Sequence, residues 1–149
     1  MKAVGKGVGT HLVLELWGCT NLNEPTVVEQ ALRDIVEATK VTLLDLRVYP
    51  FSPIGVTGVA IVSESHIMIH TWPEHGYAAV DFFTCGDSLP ERAHEVLAAG
   101  LRAEYAEVML VDRGSGVPGR GIQLRSHHTE VNAGQAASGD EPVMARLVS

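Results

Sequence analysis

The stretch Val62-Ser63-Glu64-Ser65-His66-Ile67-Met68-Ile69-His70-Thr71-Trp72-Pro73-Glu74 concentrates hydroxyl, imidazole and carboxylate groups between strand-like apolar runs. Groups of these types move protons and attack carbonyl carbons. Two histidines four residues apart also raise the question of a metal. On a strand, four residues span roughly 13 Å, so the rings of His66 and His70 could not share one ion. Only a helix would bring them together. Ile67, Ile69 and Trp72 favour a strand, with His66, Met68 and His70 on one face and Ile67 and Ile69 on the other, so no metal is expected there. A core strand with one polar face and no chemistry is the bland reading of these residues taken alone, and it stays open at this point.

The elements that must position this stretch can be read on either side of it. Thr10 to Trp17 alternates as a strand, with Leu12, Leu14 and Leu16 on one face and His11, Val13, Glu15 and Trp17 on the other. Asn23 is placed to cap a helix with Pro25 in its first turn, and Val28, Ala31, Leu32, Ile35 and Val36 give that helix one apolar stripe. Val41 to Val48 reads as a strand. Tyr49-Pro50-Phe51-Ser52-Pro53 is a rigid extended segment that can hold Phe51 over a pocket or against a core edge. Strands over Gly55–Val62, Ile67–Thr71 and Tyr77–Thr84 follow, with Ser63-Glu64-Ser65 as a tight connection and Pro73 ending the second. Ser88-Leu89-Pro90-Glu91 has the pattern of a capping box, and Val108 to Val111 closes the domain as a strand.

The order β-α-β-β-β-β-α-β predicts an α+β fold, a two-layer sandwich of a mainly antiparallel sheet with two helices on one face. The other face needs a cover, and a second copy of the chain is the simplest one. Residues 1–113 are expected to form the domain. Residues 114–149, rich in Gly, Ser and Ala without sustained periodicity, are expected to be a flexible tail, in which His127-His128 is a poor metal candidate.

Composition narrows the function classes. At 149 residues, 46% hydrophobic and 19% charged, the chain suits a single soluble domain with a real core. A formal net charge of −7 argues against a nucleic-acid surface and is compatible with a cationic substrate. No apolar run reaches membrane-spanning length, and residues 1–7 lack the apolar stretch of a signal peptide, so the cytoplasm is expected. Cys19 and Cys85 are the only cysteines, too few for a disulfide scaffold. The glycines of 5–10 do not make a phosphate loop, because they precede the first strand and no Gly-Lys-Ser/Thr follows.

Ser63-Glu64-Ser65-His66 and Ile69-His70-Thr71-Trp72-Pro73-Glu74 are followed by Gly76-Tyr77-Ala78-Ala79-Val80-Asp81 and Phe83-Thr84-Cys85-Gly86. Together with Phe51-Ser52-Pro53 and Gly55-Val56-Thr57-Gly58-Val59, this ordered set closely resembles the small prokaryotic S-adenosylmethionine decarboxylases, from about Thr10 to Asp112. The resemblance implies a pyruvoyl-dependent decarboxylase serving polyamine (spermidine) biosynthesis, acting on a small amino-acid-type substrate as a homodimer of cleaved αβ protomers, with active sites near the subunit interface. It implies that Ser65 attacks the Glu64 carbonyl, that the chain breaks there, and that Ser65 becomes the covalent pyruvoyl cofactor. It further assigns His70 as the base of processing with Thr57 in support, Cys85 as general acid, Glu74 as acceptor for ribose hydroxyls and Phe51 as the ring that stacks on adenine. The need for such a group has an independent rationale. Removing CO₂ from an amino acid leaves a carbanion that standard side chains stabilise poorly. Lys2, Lys6 and Lys40 are the only lysines, and none is placed like a pyridoxal-phosphate lysine.

Four positions depart from the family pattern. Thr57 stands for a serine, Met68 for a smaller residue and Tyr49-Pro50 for a more polar pair. The last three bear on the substrate, so arginine or ornithine stays open as the substrate of the same chemistry. An unprocessed pseudoenzyme, or a zinc or redox protein built on Cys19 and Cys85, is the reading from another class.

Overall fold

Residues 7–85, 90–114, 119 and 122–134 are described by this computed structural model. Among them the chain forms β1 (Gly9–Trp17), α1 (Pro25–Thr39), β2 (Thr42–Pro50), β3 (Val56–Ser63), β4 (Ser65–Trp72), β5 (Tyr77–Thr84), α2 (Ala93–Gly100), β6 (Tyr105–Arg113) and β7 (Gln123–Val131). Single 3-10 turns, Pro73–His75 and Pro90–Arg92, precede β5 and α2. The strands make one seven-stranded sheet in the order β2-β3-β4-β5-β1-β6-β7, and every neighbouring pair is antiparallel.

Period-two alternation decides which face is covered. Leu12, Leu14 and Leu16 of β1, Ile67 and Ile69 of β4, and Phe82 of β5 are almost wholly buried against Val28, Leu32 and Ile35 of α1 and Leu97 of α2. Each such side chain contributes roughly 1.5–3 kcal/mol on leaving water. Gly58 of β3 lets α1 come this close: a Cβ there would lie 2.7 Å from Leu32 Cδ1. Both helices therefore lie over one face, α1 on β2 and β3 and α2 on β6. The α+β sandwich expected from the element order is the one found.

The start of α1 differs from expectation in one detail. Glu24 is its N-cap, with no side-chain hydrogen bond, because Pro25 already occupies the first helical position. Asn23 instead accepts a hydrogen bond from Gly55 N through Oδ1 at 2.9 Å, pinning the loop before β3. Ser88 of the expected capping box lies outside the described residues.

The larger difference is β7. The chain after Arg113 was expected to be a flexible tail, yet Gln123–Val131 pairs with β6 from Tyr105↔Val131 to Asp112↔Gln123 and forms the edge of the sheet. An edge strand needs little apolar alternation, and this one reads as polar at nearly every position. Glu130 and Ala133 are buried, so the segment adds to the core. Ending the chain at Gly114 is therefore expected to lower unfolding free energy by roughly 2–5 kcal/mol, from lost cross-strand pairs and burial. Urea titration of the shortened chain checks this; an unchanged midpoint would show that β7 adds no stability.

Candidate functional site

The face away from the helices carries His11, Glu15 and Trp17 of β1, Thr57 and Ile61 of β3, His66, Met68, His70 and Trp72 of β4, and Tyr77, Asp81 and Phe83 of β5. All are half-buried or exposed. The reactive groups predicted from the sequence fall at two places on this side of the sheet.

At one end, Glu64 is the single residue between β3 and β4, and Val62 pairs with Ser65 across it. So tight a connection forces Ser65 to φ +130°, a region that side-chain-bearing residues avoid at a cost of about 1–3 kcal/mol. Ser65 also pairs with Thr84 of β5, which brings the next residue, Cys85, alongside Glu64. The Cys85 thiol donates to Glu64 Oε2 at 3.2 Å and approaches the Glu64 carbonyl oxygen at 3.8 Å. The Glu64 carboxylate accepting from it, followed by burial, holds the Cys85 thiol above its ordinary pKa. It therefore stays protonated across neutral pH. Behind Ser65 runs a hydrogen-bonded line. Ser65 Oγ is 3.4 Å from His66 Nδ1, and His66 Nε2 is 3.1 Å from Asp81 Oδ1. The carboxylate accepts the Nε2 proton, which leaves Nδ1 as the free acceptor for the serine hydroxyl. His11 completes the group, with Nε2 3.5 Å from the same Asp81 oxygen, and burial lowers its pKa.

At the other end, Thr57 of β3 lies opposite His70 of β4, with Oγ1 and Nδ1 2.5 Å apart. The His70 ring meets Trp72 edge-on at 4.1 Å and Phe51 at 5.6 Å. Phe51 is 45% exposed, in the loop that Phe51 N closes by donating to Gly55 O at 2.8 Å. Glu74 sits in the 3-10 turn that follows Trp72, and Gly76 at φ +60° turns the chain into β5. Trp72, Tyr77 and Trp17 stack in a row, at 5.2 and 4.3 Å, and the Tyr77 hydroxyl donates to Glu15 at 2.5 Å. The result is an aromatic, hydrogen-bond-rich surface with Thr57, His70, Phe51 and Glu74 around it.

The seven predicted residues thus separate into two groups. Glu64, Ser65 and Cys85 are together, and so are Thr57, His70 and Phe51, with Glu74 in the turn beyond. Ser65 and His70 are five residues apart on one strand, which is roughly 17 Å. Sequence reading missed that separation, although its own strand spacing for His66 and His70 carried the signal. It also did not connect His66 with Asp81. Cys19 and Cys85 are both free thiols, and burial pushes Cys19 up to about 12, which makes it unreactive near neutrality.

A family profile described as S-adenosylmethionine decarboxylase matches residues 10–114, the part of the chain that carries both groups. The chain belongs to the S-adenosylmethionine decarboxylase family. A family relative from Thermomicrobium roseum, an S-adenosylmethionine decarboxylase proenzyme by name, is 55% identical over 111 residues, covering 73% of this chain and 96% of the relative. One of the same name from Methanococcus maripaludis is 48% identical over 112 residues, covering 73% and 92%. Among solved structures, the adenosylmethionine decarboxylase from Aquifex aeolicus is similar with a TM-score of 0.69 and 34% identity, over 79% of this chain and 99% of that one. A Trypanosoma brucei AdoMetDC monomer shares the fold alone, at 14% identity and a TM-score of 0.53 over 92% of this chain and 53% of that one. The stretch that the family profile matches ends before β7 begins. Among the described residues, no helix is long and apolar enough to cross a membrane.

Proposed function

We propose that this protein decarboxylates S-adenosylmethionine, that it matures by breaking its own chain between Glu64 and Ser65, and that its working site is assembled from two copies. The observation that carries the reading is the strained Glu64–Ser65 turn, with His66–Asp81 behind the serine hydroxyl and Cys85 against Glu64.

Maturation follows from these residues. His66 Nδ1 takes the Ser65 Oγ proton as Oγ bonds to the Glu64 carbonyl carbon. The C–N bond then breaks, the nitrogen gains a proton, and the amide has become an ester. Relief of the Ser65 backbone conformation favours this shift. A base next removes the Ser65 α-proton, the Cβ–O bond breaks, and Glu64 leaves as a new carboxylate terminus. Water converts the remaining enamine to a ketone, with loss of ammonia. Ser65 fits this fate, since it starts a strand at a half-buried position beside a proton acceptor. The pyruvoyl group so formed supplies the electron sink that the chain's standard side chains lack.

His70 suits the base that removes the α-proton, its Nδ1 held by Thr57. At roughly 17 Å along its strand it cannot reach the Ser65 of its own chain. A homodimer formed through the half-exposed sheet face resolves this, because His70, Thr57, Phe51 and Glu74 of one copy then meet Glu64, Ser65 and Cys85 of the other. In that arrangement Phe51 stacks on the adenine, Glu74 accepts from the ribose hydroxyls, and Cys85 returns a proton to the substrate carbon after CO₂ leaves. Met68, 39% exposed between His66 and His70, lines the same surface.

Cys85→Ala is expected to cleave normally and to lower turnover at least ~100-fold, through loss of the proton donor. Because the thiol's pKa is raised, the acid form is present at neutral pH and is lost only as pH rises past 9.0, the ordinary thiol value, so the alkaline limb of the rate profile should lie above it. Failure of this variant to cleave would move Cys85 into maturation. Release of CO₂ from S-adenosylmethionine, with none from arginine or ornithine, tests the substrate. No observation favours the arginine or ornithine reading or an unprocessed pseudoenzyme, and release from either amino acid alone would overturn the assignment.

A further inference from the structure

We propose that His94, His128 and Glu130 form a binding site for one divalent transition-metal ion of the zinc type, clamping β7 to α2. The sequence hides it, because His94 stands in a helix 34 residues before His128. Folding brings them together. His94 Nε2 is 3.0 Å and His128 Nε2 3.2 Å from the same oxygen, Oε1 of Glu130, and all three ligand atoms lie within 4.8 Å of one another.

The geometry and donor chemistry agree. Ligand atoms around a tetrahedral zinc, bonded at about 2.0–2.1 Å, are about 3.4 Å from each other. The two nitrogen–oxygen edges are already near that length, and the third has at most about 1.4 Å to close. His128 and Glu130 alternate on one strand and so point to the same face, the face that α2 covers. His127, between them, points the other way and pairs with Glu107 at 2.7 Å. Two imidazoles and one carboxylate are a zinc donor set with a fourth position left for water, and they do not suit calcium or magnesium, which take oxygen ligands.

Burial sharpens the argument. The side chains of His94 and Glu130 are 10% and 8% exposed and that of His128 29%, so the most open ligand marks the solvent side. A carboxylate this buried is stable only when paired. Without an ion, a single oxygen accepts from both imidazoles; with one, all three groups bond to the same centre. His128 and Glu130 lie beyond the residues that the decarboxylase family profile matches, so the site stands apart from the reading of the reaction.

The test uses the full chain, untagged and stripped with a chelator. Calorimetric titration with Zn²⁺ is expected to show one ion per chain and a raised melting temperature. Co²⁺ is expected to give the visible bands of a four-coordinate site without a thiolate charge-transfer band. His128→Ala and Glu130→Gln should each weaken Zn²⁺ binding at least ~10-fold, while His127→Ala leaves it unchanged. Absence of stoichiometric binding would overturn the proposal. So would binding that survives both ligand variants, or a Co²⁺ spectrum with thiolate character, which needs no variant. Variants that lose stability without losing metal affinity would reduce the cluster to a hydrogen-bonded tie.

Discussion

Ser65→Ala is expected to accumulate as one uncleaved 149-residue chain with the fold intact and no decarboxylase activity. The substitution removes a single oxygen, and that oxygen is both the attacking atom and the leaving group of the elimination. No other hydroxyl replaces it. Ser63 lies on the far side of Glu64 and precedes the carbonyl that must be attacked. The core leucines and isoleucines are untouched, so circular dichroism and the urea midpoint should match those of the parent, within the roughly ±0.5 kcal/mol typical of a surface change. Cleavage persisting at the same bond would sink the internal-nucleophile account. Cleavage between Val62 and Ser63, two residues earlier, would transfer the role to Ser63.

The second large effect is a rescue. Ser65→Ala and His70→Ala should each fail to mature when made alone, and coexpression should restore cleavage in about a quarter of all chains, which is half of those that carry Ser65. The arithmetic follows from the separation of the two groups on β4. Random pairing puts half the chains in mixed dimers. Each mixed dimer has one site with both residues intact, formed by Ser65 of the His70→Ala copy and His70 of the Ser65→Ala copy. If instead each chain matured by itself, coexpression would rescue nothing. Single-chain action would require β4 to leave the sheet, since a strand holds residues five apart at roughly 17 Å.

Much of this was readable from the residues, and what was not has physical causes. The alternation of Tyr77-Ala78-Ala79-Val80-Asp81-Phe82-Phe83-Thr84 places β5 with its observed bounds, because a strand with one buried face must alternate. α1 was legible from its stripe, but its cap was not, since Asn23 found a partner 32 residues away in the Gly55 loop. β7 escaped because an edge strand can be polar and still pair. The triad of His94, His128 and Glu130 escaped because His94 comes from α2 and the other two from β7, the strand whose polar sequence hid it. At the candidate site, residue types carried the chemistry and the family resemblance carried the roles. Only the strand register shows that Glu64, Ser65 and Cys85 lie apart from Thr57, His70 and Phe51. His66 received no role from the sequence once a metal shared with His70 was excluded, yet its ring joins Ser65 to Asp81.

The central claim, that Ser65 breaks the chain and becomes the reactive group, is tested most directly by the intact mass of the purified protein. The account predicts two chains, residues 1–64 and 65–149, the second lighter by one ammonia than the serine-ended fragment that simple hydrolysis would leave. A single species at 16.0 kDa, or a second chain beginning with an ordinary serine, would contradict it.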